Sequence, residues 1–263
     1  MLEVLSALAG KLQRPITEVY DQIVGTGVGG FIALALSQGH SINEIRELLR
    51  HVDPFLFPKQ NLGRKVDEQR RAGAEVEVKE LLKRFFGVAK LVAGYPNGPR
   101  INVAVITNEV SGAMRRKVVL TSGSKKLQSV KGASCLMEWT FYDAARATSS
   151  GNLLPPCQRG MKTFYDAGID TCNPIKDAYA IAVEIFGAEN VGNITSIGSG
   201  TEELTEQQQS ALSGKVGDSF QPAATELLSC LNTSAQSHHT FETQVKNKPG
   251  EGLQYVRLDA PLC

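Results

Sequence analysis

Asp21-Gln22-Ile23-Val24-Gly25-Thr26-Gly27-Val28-Gly29-Gly30 is the stretch on which the fold turns. Tyr20–Val24 is a short apolar run that reads as a buried strand, and Gly29–Ser37 reads as a helix packed closely on it. Two chemistries use a glycine turn of this kind. Gly25, Gly27 and Gly30 fit G-x-G-x-x-G, the dinucleotide fingerprint, in which a pyrophosphate rests on the helix N-terminus. That fingerprint also wants an acid about 20 residues on, at the end of the next strand. Glu44 and Glu47 stand near that distance, but inside a helix expected over Ile42–Arg50. The other chemistry is a nucleophile elbow, which exposes one side chain at the tip of a strand–turn–helix and usually reads G-x-S-x-G. Gly25-Thr26-Gly27-Val28-Gly29 has the flanking glycines and lacks the serine.

Outward from the turn, the pattern alternates. Leu2, Leu5, Leu8, Ala9 and Leu12 form a helical stripe, and Thr17 caps a further turn. Gly39 stops the helix after the turn; Ser41 is an N-cap with Glu44 at the capping-box position, and Pro54 and Pro58 end that unit. Residues 59–75 read as a charged surface loop and Val76–Phe86 as a helix. Ile101–Ile106 and Lys117–Thr121 read as strands joined by a turn at Ser111-Gly112. Further on come helices over Trp139–Thr148, Pro174–Phe186 and Ala223–Leu231, and strands at Thr163–Tyr165, Val191–Ile197 and Gln254–Leu258. Residues 202–220 read as a polar loop. Alternating strands and helices argue for an α/β fold with largely parallel pairing.

The chain has 263 residues with a hydrophobic fraction of 42%, which suits one α/β domain and excludes wholesale disorder. The net charge of +1 argues against a nucleic-acid partner. Its longest apolar-leaning run, Gly27–Leu36, is half the roughly 20 residues that a membrane-spanning helix needs. The first residues lack a basic, signal-like segment, and the five cysteines have no CxxC, so reduced thiols in a cytoplasmic protein are expected. His40, His51, His238 and His239 have no metal-ligand spacing, and no metal or cofactor is expected. Arg64-Lys65, Arg70-Arg71, Arg115-Arg116-Lys117 and Lys125-Lys126 are read as solvated, with lipid phosphates as their other use. Phe55, Leu56 and Phe57 are read either as an apolar rim for acyl chains or as packing under the loop, and Trp139 as core.

Several motifs in order resemble the patatin-like phospholipases, lipid acyl hydrolases with the nucleophile motif G-T-S-x-G-G. Gly25-Thr26-Gly27-Val28-Gly29-Gly30 matches it except at the serine. Ser41–Leu48 is similar to the helix that follows the elbow helix in that family. Ala144-Ala145-Arg146-Ala147-Thr148-Ser149-Ser150 is similar to its A-A-R-A-T-S-A segment. Tyr165-Asp166-Ala167-Gly168 resembles its D-G-G/A segment, with Asn173-Pro174 following. Ile194–Thr201 resembles its closing strand and S-L-G-T-G turn. The matches span residues 1–200, with weaker similarity to Arg257, and the chain is read as a single domain over 1–263.

The resemblance implies a three-layer α/β sandwich with a mainly parallel central sheet, and a Ser–Asp dyad. In the dyad, serine attacks an ester carbonyl while aspartate takes its proton and later activates water. Asp166 holds the aspartate position and Gly27 the nucleophile position. Gly25, Thr26, Val28, Gly29 and Gly30 form the elbow backbone, and Ala167 and Gly168 complete the second motif. The family's first strand and its oxyanion loop, D-G-G-G-x-R-G, have no match in the chain. Ser149, Ser150 and Ser199 do not stand on an elbow. The expectation is a catalytically impaired module that binds a lipid, an acyl ester or a protein partner, peripheral to membranes if lipid is bound. The alternatives are a lipid acyl hydrolase in the full-length or ancestral form and, as a minor reading, dinucleotide binding.

Overall fold

The computed structural model describes residues 1–56, 68–91, 100–112, 114–122, 133–134, 139–150, 156–168, 170–198, 221–246 and 252–259. Within these, the side chains of 53–56, 68–75, 133–134 and 221–233 are left undescribed. The fold is mixed α/β. Helices α1 (Leu2–Leu12) and α2 (Ile16–Val19) lead into β1 (Gln22–Thr26), α3 (Val28–Gln38), α4 (Ile42–Leu56) and α5 (Glu68–Phe86). Then come β2 (Asn102–Ser111), β3 (Met114–Thr121), β4 (Ala133–Ser134), α6 (Phe141–Ser149), β5 (Cys157–Arg159) and β6 (Lys162–Asp166). The chain continues through α7 (Ile175–Phe186), β7 (Asn193–Ile197), α8 (Gln221–Lys246) and β8 (Gln254–Leu258).

β2 is the template of the sheet. One edge pairs antiparallel with β3 along residues 104–111, across a turn where Gly112 takes φ 59°. Along the opposite edge two strands follow one another. β1 runs parallel against residues 102–106, and β6 runs antiparallel against residues 107–110. Their C-terminal ends therefore converge, with Thr26 opposite Ile106 and Asp166 opposite Thr107. β4 lies parallel beyond β3, β5 antiparallel beyond β6, and β7 and β8 form a separate parallel pair.

The sheet is thus mixed, which corrects the expectation of mainly parallel pairing. The reason is local. Short turns at Gly112 and Gly160, both at φ 59°, fold β2 onto β3 and β5 onto β6 as hairpins, and a tight hairpin is necessarily antiparallel. Helices nonetheless cover both faces of β2. Val103 and Val105 point into a core built with α3, α5 and α6, while Ala104 and Ile106 point into a second one with Ile181 of α7. All four are buried, which is why this strand reads as an unbroken apolar run.

Side-chain caps open α4 and α6, at Ser41 and Thr140, whereas Thr17, expected as a cap, lies inside α2, which follows Pro15. Ser41 and Glu44 make the reciprocal box, Glu44 N–H to Ser41 Oγ at 3.2 Å and Ser41 N–H to Glu44 Oε2 at 2.7 Å. β2 runs on to Ser111 and β3 starts at Met114, past the expected Ile106 and Lys117, and three helices are longer than expected. α4 runs through Pro54 to Leu56, because the buried stripe Ile45, Leu48 and Val52 outweighs one lost backbone donor. α5 begins at Glu68, within the segment read as a loop, since its Glu, Gln, Arg and Ala residues favour helix without apolar periodicity. α8 extends to Lys246, anchored by Phe241, which packs edge-on against Tyr179 and Tyr255. Residues 59–67 and 202–220 lie outside the described residues.

Among the described residues no helix is long and apolar enough to cross a membrane. Cys157 is a free, buried thiol, whereas Cys172 is disulfide-bonded, which corrects the expectation of reduced cysteines throughout.

The contact that fixes β1 on α3 is glycine against backbone. A Cβ added to Gly25 would stand 2.3 Å from the Gly29 carbonyl oxygen, inside any tolerable contact. Only a shift of the helix would relieve it. Gly25→Ala is therefore expected to destabilise the chain by about 3 kcal/mol, read from the urea midpoint. A change below about 0.5 kcal/mol would contradict this packing.

Candidate active site

The strand-to-helix reversal is made at one residue, because β1 ends at Thr26 and α3 begins at Val28. Gly27 takes φ 57° and ψ −131°, a conformation that residues with a Cβ seldom adopt. Its main chain is held on both sides. The Gly27 N–H donates to Thr148 Oγ1 at 3.1 Å, and that hydroxyl donates onward to the Ile106 carbonyl at 3.0 Å. The Gly27 carbonyl accepts the Phe31 N–H at 3.1 Å, opening the first turn of α3. One threonine on α6 thus ties the turn to β2.

The direction of the turn brings the two sequence-expected positions together. A Cβ built on Gly27 lies 3.0 Å from Asp166 Oδ2 and 3.1 Å from Oδ1. A side chain at position 27 would point directly at the carboxylate. This meeting follows from the register on β2, where the ends of β1 and β6 occupy adjacent positions.

Asp166 is partly buried and has no ion-pair partner among the described residues. Its Oδ1 accepts the Gly168 N–H at 2.7 Å, and its own N–H donates to the Ser150 carbonyl. Burial pushes the Asp166 carboxyl up to about 6, against the opposing pull of the Gly168 N–H. That value suits a group that accepts a proton near neutral pH.

The remaining expected residues have structural places around this pair. Thr26 Oγ1 is buried without a hydrogen-bond partner. Val28 is exposed at the start of α3, and the side chain of Met1 lies against Gly29, its Cε 3.6 Å from where a Cβ would be. At Gly30 a Cβ would meet Thr148 Oγ1 at 2.6 Å, so the glycine lets α3 and α6 close. Ala144, Ala145 and Ala147 are fully buried in that same contact region. Ala167 is buried against the second core beside Ala104 and Ile106, and Gly168 supplies the N–H already noted.

Thr148 is a site residue that the sequence reading passed over. Its signal is the hydroxyl in the otherwise alanine-rich Ala144–Ser150 segment. Thr107 is a second such residue: it pairs with Asp166 across the sheet, and its hydroxyl lies 2.9 Å from the Ala147 carbonyl and 2.7 Å from the Tyr165 carbonyl.

Other candidates lie elsewhere or are otherwise engaged. His40 stacks on Phe85, His51 meets the Glu47 carbonyl, and His238 meets the Tyr255 hydroxyl. Arg115, Arg116 and Lys117 sit on β3, paired with Asp170, Glu109 and Asp177. Trp139 is buried edge-on against Phe164. Ser150 Oγ bonds the Arg146 carbonyl, and Ser149 Oγ is buried without a partner; neither residue stands on the elbow. Ser199, Phe57, Arg64, Lys65, Lys125 and Lys126 lie outside the described residues, as do the side chains of Phe55, Leu56, Arg70 and Arg71. Among the described residues no group of three or more His, Cys, Asp and Glu could hold a metal ion.

The dinucleotide geometry meets two obstacles. Glu44 is taken up in the capping box and Glu47 pairs with Arg50, both on α4. The Asp166 carboxylate stands at the N-terminal end of α3, where a pyrophosphate would have to sit, and like charges repel there. No protein-family model and no curated protein matches the chain.

The raised carboxyl has a consequence for stability. Folded, Asp166 releases its proton near pH 6; unfolded, it does so near 3.8. Between those values the folded chain holds more protons, so stability falls as pH rises through the window. The full deficit above pH 6 is at most about 3 kcal/mol. Asp166→Asn keeps the acceptor for Gly168 and removes the charge. It is expected to be more stable than the parent at pH 8 by roughly 1–3 kcal/mol, with the difference vanishing towards pH 4, in urea melts at the two pH values. A variant less stable at pH 8 than at pH 4, relative to the parent, would contradict the assignment.

Proposed function

We propose that this chain is a patatin-like acyl-hydrolase domain that has lost its nucleophile and serves as a binding module for lipid acyl esters. The observation that carries this reading is the position of Gly27, at φ 57° and with its Cβ direction 3.0 Å from Asp166 Oδ2. A serine in that backbone conformation would present its hydroxyl to a base, as the elbow of an acyl hydrolase does. Glycine presents no atom to be acylated. Covalent catalysis through this residue is closed to the chain as it stands, whatever its affinity for the ester.

The order of motifs supports the family reading alongside this geometry. The glycine turn, the Ala144–Ser150 segment and Tyr165–Gly168 lie far apart in sequence, yet the Gly27 N–H donates to Thr148 Oγ1 and a Cβ built on Gly27 would stand 3.0 Å from Asp166 Oδ2. The three-layer architecture of the family belongs to this proposal too, supported by helices on both sides of β2.

Restoring the hydroxyl tests the reading. In Gly27→Ser, Asp166 would accept the serine proton as the oxygen attacks an ester carbonyl, then return a proton to the leaving alcohol; the same carboxylate would activate water for the second step. The substitution places a side chain at positive φ, at about 1 kcal/mol or more, and the carboxylate must yield by a few tenths of an ångström. The parent chain is expected to bind long-chain phospholipid vesicles without releasing fatty acid. Gly27→Ser is expected to hydrolyse p-nitrophenyl butyrate and to be labelled at residue 27 by an alkyl fluorophosphonate. Its rate should rise with pH through about 6, as Asp166 loses its proton. Adding Asp166→Asn should abolish both signals. Turnover by the parent chain that Asp166→Asn removes would defeat the proposal, as would an unlabelled but folded Gly27→Ser.

A further inference from the structure

The turn that carries Gly168 is fastened to the sheet by residues outside the elbow pair. Beyond β6 the chain folds back on the Ala167 carbonyl, which accepts the Asp170 N–H at 3.1 Å and the Thr171 N–H at 2.7 Å. That reversal brings the Gly168 N–H round to Asp166 Oδ1 at 2.7 Å. Ordering each residue of a turn costs backbone entropy, and two local bonds offset little of it.

A further hold comes from Asn108 on β2, which is buried. Its Nδ2 donates to Asp170 Oδ2 at 2.8 Å and reaches the Asp166 carbonyl at 3.5 Å. One amide thus grips both sides of the turn, the residue before it and a residue that closes it. The same Asp170 oxygen accepts from Arg115 Nη2 on β3 at 2.7 Å. Asn108 stands opposite Lys117 in the sheet, and Arg115 is two residues along from Lys117, so Asn108 and Arg115 project from one face.

Both bonds to Asp170 run to a charged acceptor and are stronger than neutral ones. They are not equal. Arg115 and Asp170 are each about half exposed, and water and salt screen an exposed ion pair. The Asn108 amide is withdrawn from water, so its bond to Asp170 carries more of the hold.

We propose that Asn108 and Asp170 are positioning residues for Asp166: their hydrogen bond, braced by Arg115, keeps the turn closed with the Gly168 N–H on the carboxylate. Neither side chain bonds that carboxylate; both act through the turn. The inference rests on the reading of Asp166 as the base of a dyad, and adds what holds that base in place. Its signature has a definite sign. Burial raises the Asp166 carboxyl more than the Gly168 N–H lowers it. Opening the turn removes both effects, so the midpoint falls towards the ordinary value.

A ¹³C titration of the Asp166 carboxyl carbon in the full chain tests it, together with hydrogen exchange at the Gly168 amide. In Asn108→Ala and Asp170→Ala the midpoint is expected to fall by about one pH unit, a tenfold loss of proton affinity. Gly168 exchange should rise about tenfold in both, while the Phe31 amide on the Gly27 carbonyl keeps its rate. Asp170→Asn loses the same charge as Asp170→Ala but keeps an oxygen for Asn108 and Arg115, and is expected to match the parent in both readouts. An Asp170→Asn that behaves like Asp170→Ala would overturn the proposal, leaving charge acting through space as the cause. So would an unmoved or raised midpoint in Asn108→Ala, or an unchanged Gly168 rate there. Should Asp170→Ala not fold, Asn108→Ala and Asp170→Asn decide the matter alone. The parent's own midpoint keeps the two readings apart: near 6 with unmoved variants sinks only the hold on the turn, whereas 3.8 or below sinks the elbow.

Discussion

The structure depends on the convergence of β1 and β6 along one edge of β2. One strand runs parallel to the template and the other antiparallel, so their C-terminal ends meet at Ile106 and Thr107. Everything at the candidate site follows from that meeting. β1 must reverse into α3 at Gly27, which requires a positive φ and a helix close enough that Gly25 touches Gly29. Asp166 must end β6 facing the reversal. Thr148 then locks the arrangement, accepting from Gly27 and donating to Ile106, the same template residue opposite which β1 ends.

On the proposed reading, the chemistry left at this meeting point is half of a dyad. Asp166 is held where burial disfavours its charge, with a single backbone N–H in compensation. Such an arrangement is a liability to the folded state and an asset to proton transfer. Glycine at position 27 avoids the strain that a side chain would bear at this φ and ψ and, on the proposed reading, leaves no atom for catalysis to acylate. The two residues therefore pull in different directions: Asp166 has a carboxyl poised to take up a proton near neutral pH, and Gly27 contributes backbone shape alone.

The glycine turn, the capping box at Ser41 and Glu44, and the helical stripes were legible in the sequence because each rests on contacts within a few residues. The pairing of Gly27 with Asp166 was legible only through the order of several motifs, since no local pattern connects residues so far apart. The sheet's mixed character was misread because alternating elements suggest parallel crossovers, while Gly112 and Gly160 dictate hairpins. Thr148 went unnoticed because a buried hydroxyl in an alanine-rich helix has no distinguishing period.

The central claim is that the carboxylate of Asp166 is buried against the backbone of Gly27. It is tested most directly by a ¹³C NMR titration of the Asp166 carboxyl carbon in the folded parent chain. Burial sets the expected midpoint near 6. A midpoint at or below the ordinary aspartate value of 3.8 would place the carboxylate in solvent or beside a cation, and the elbow geometry would fall with it.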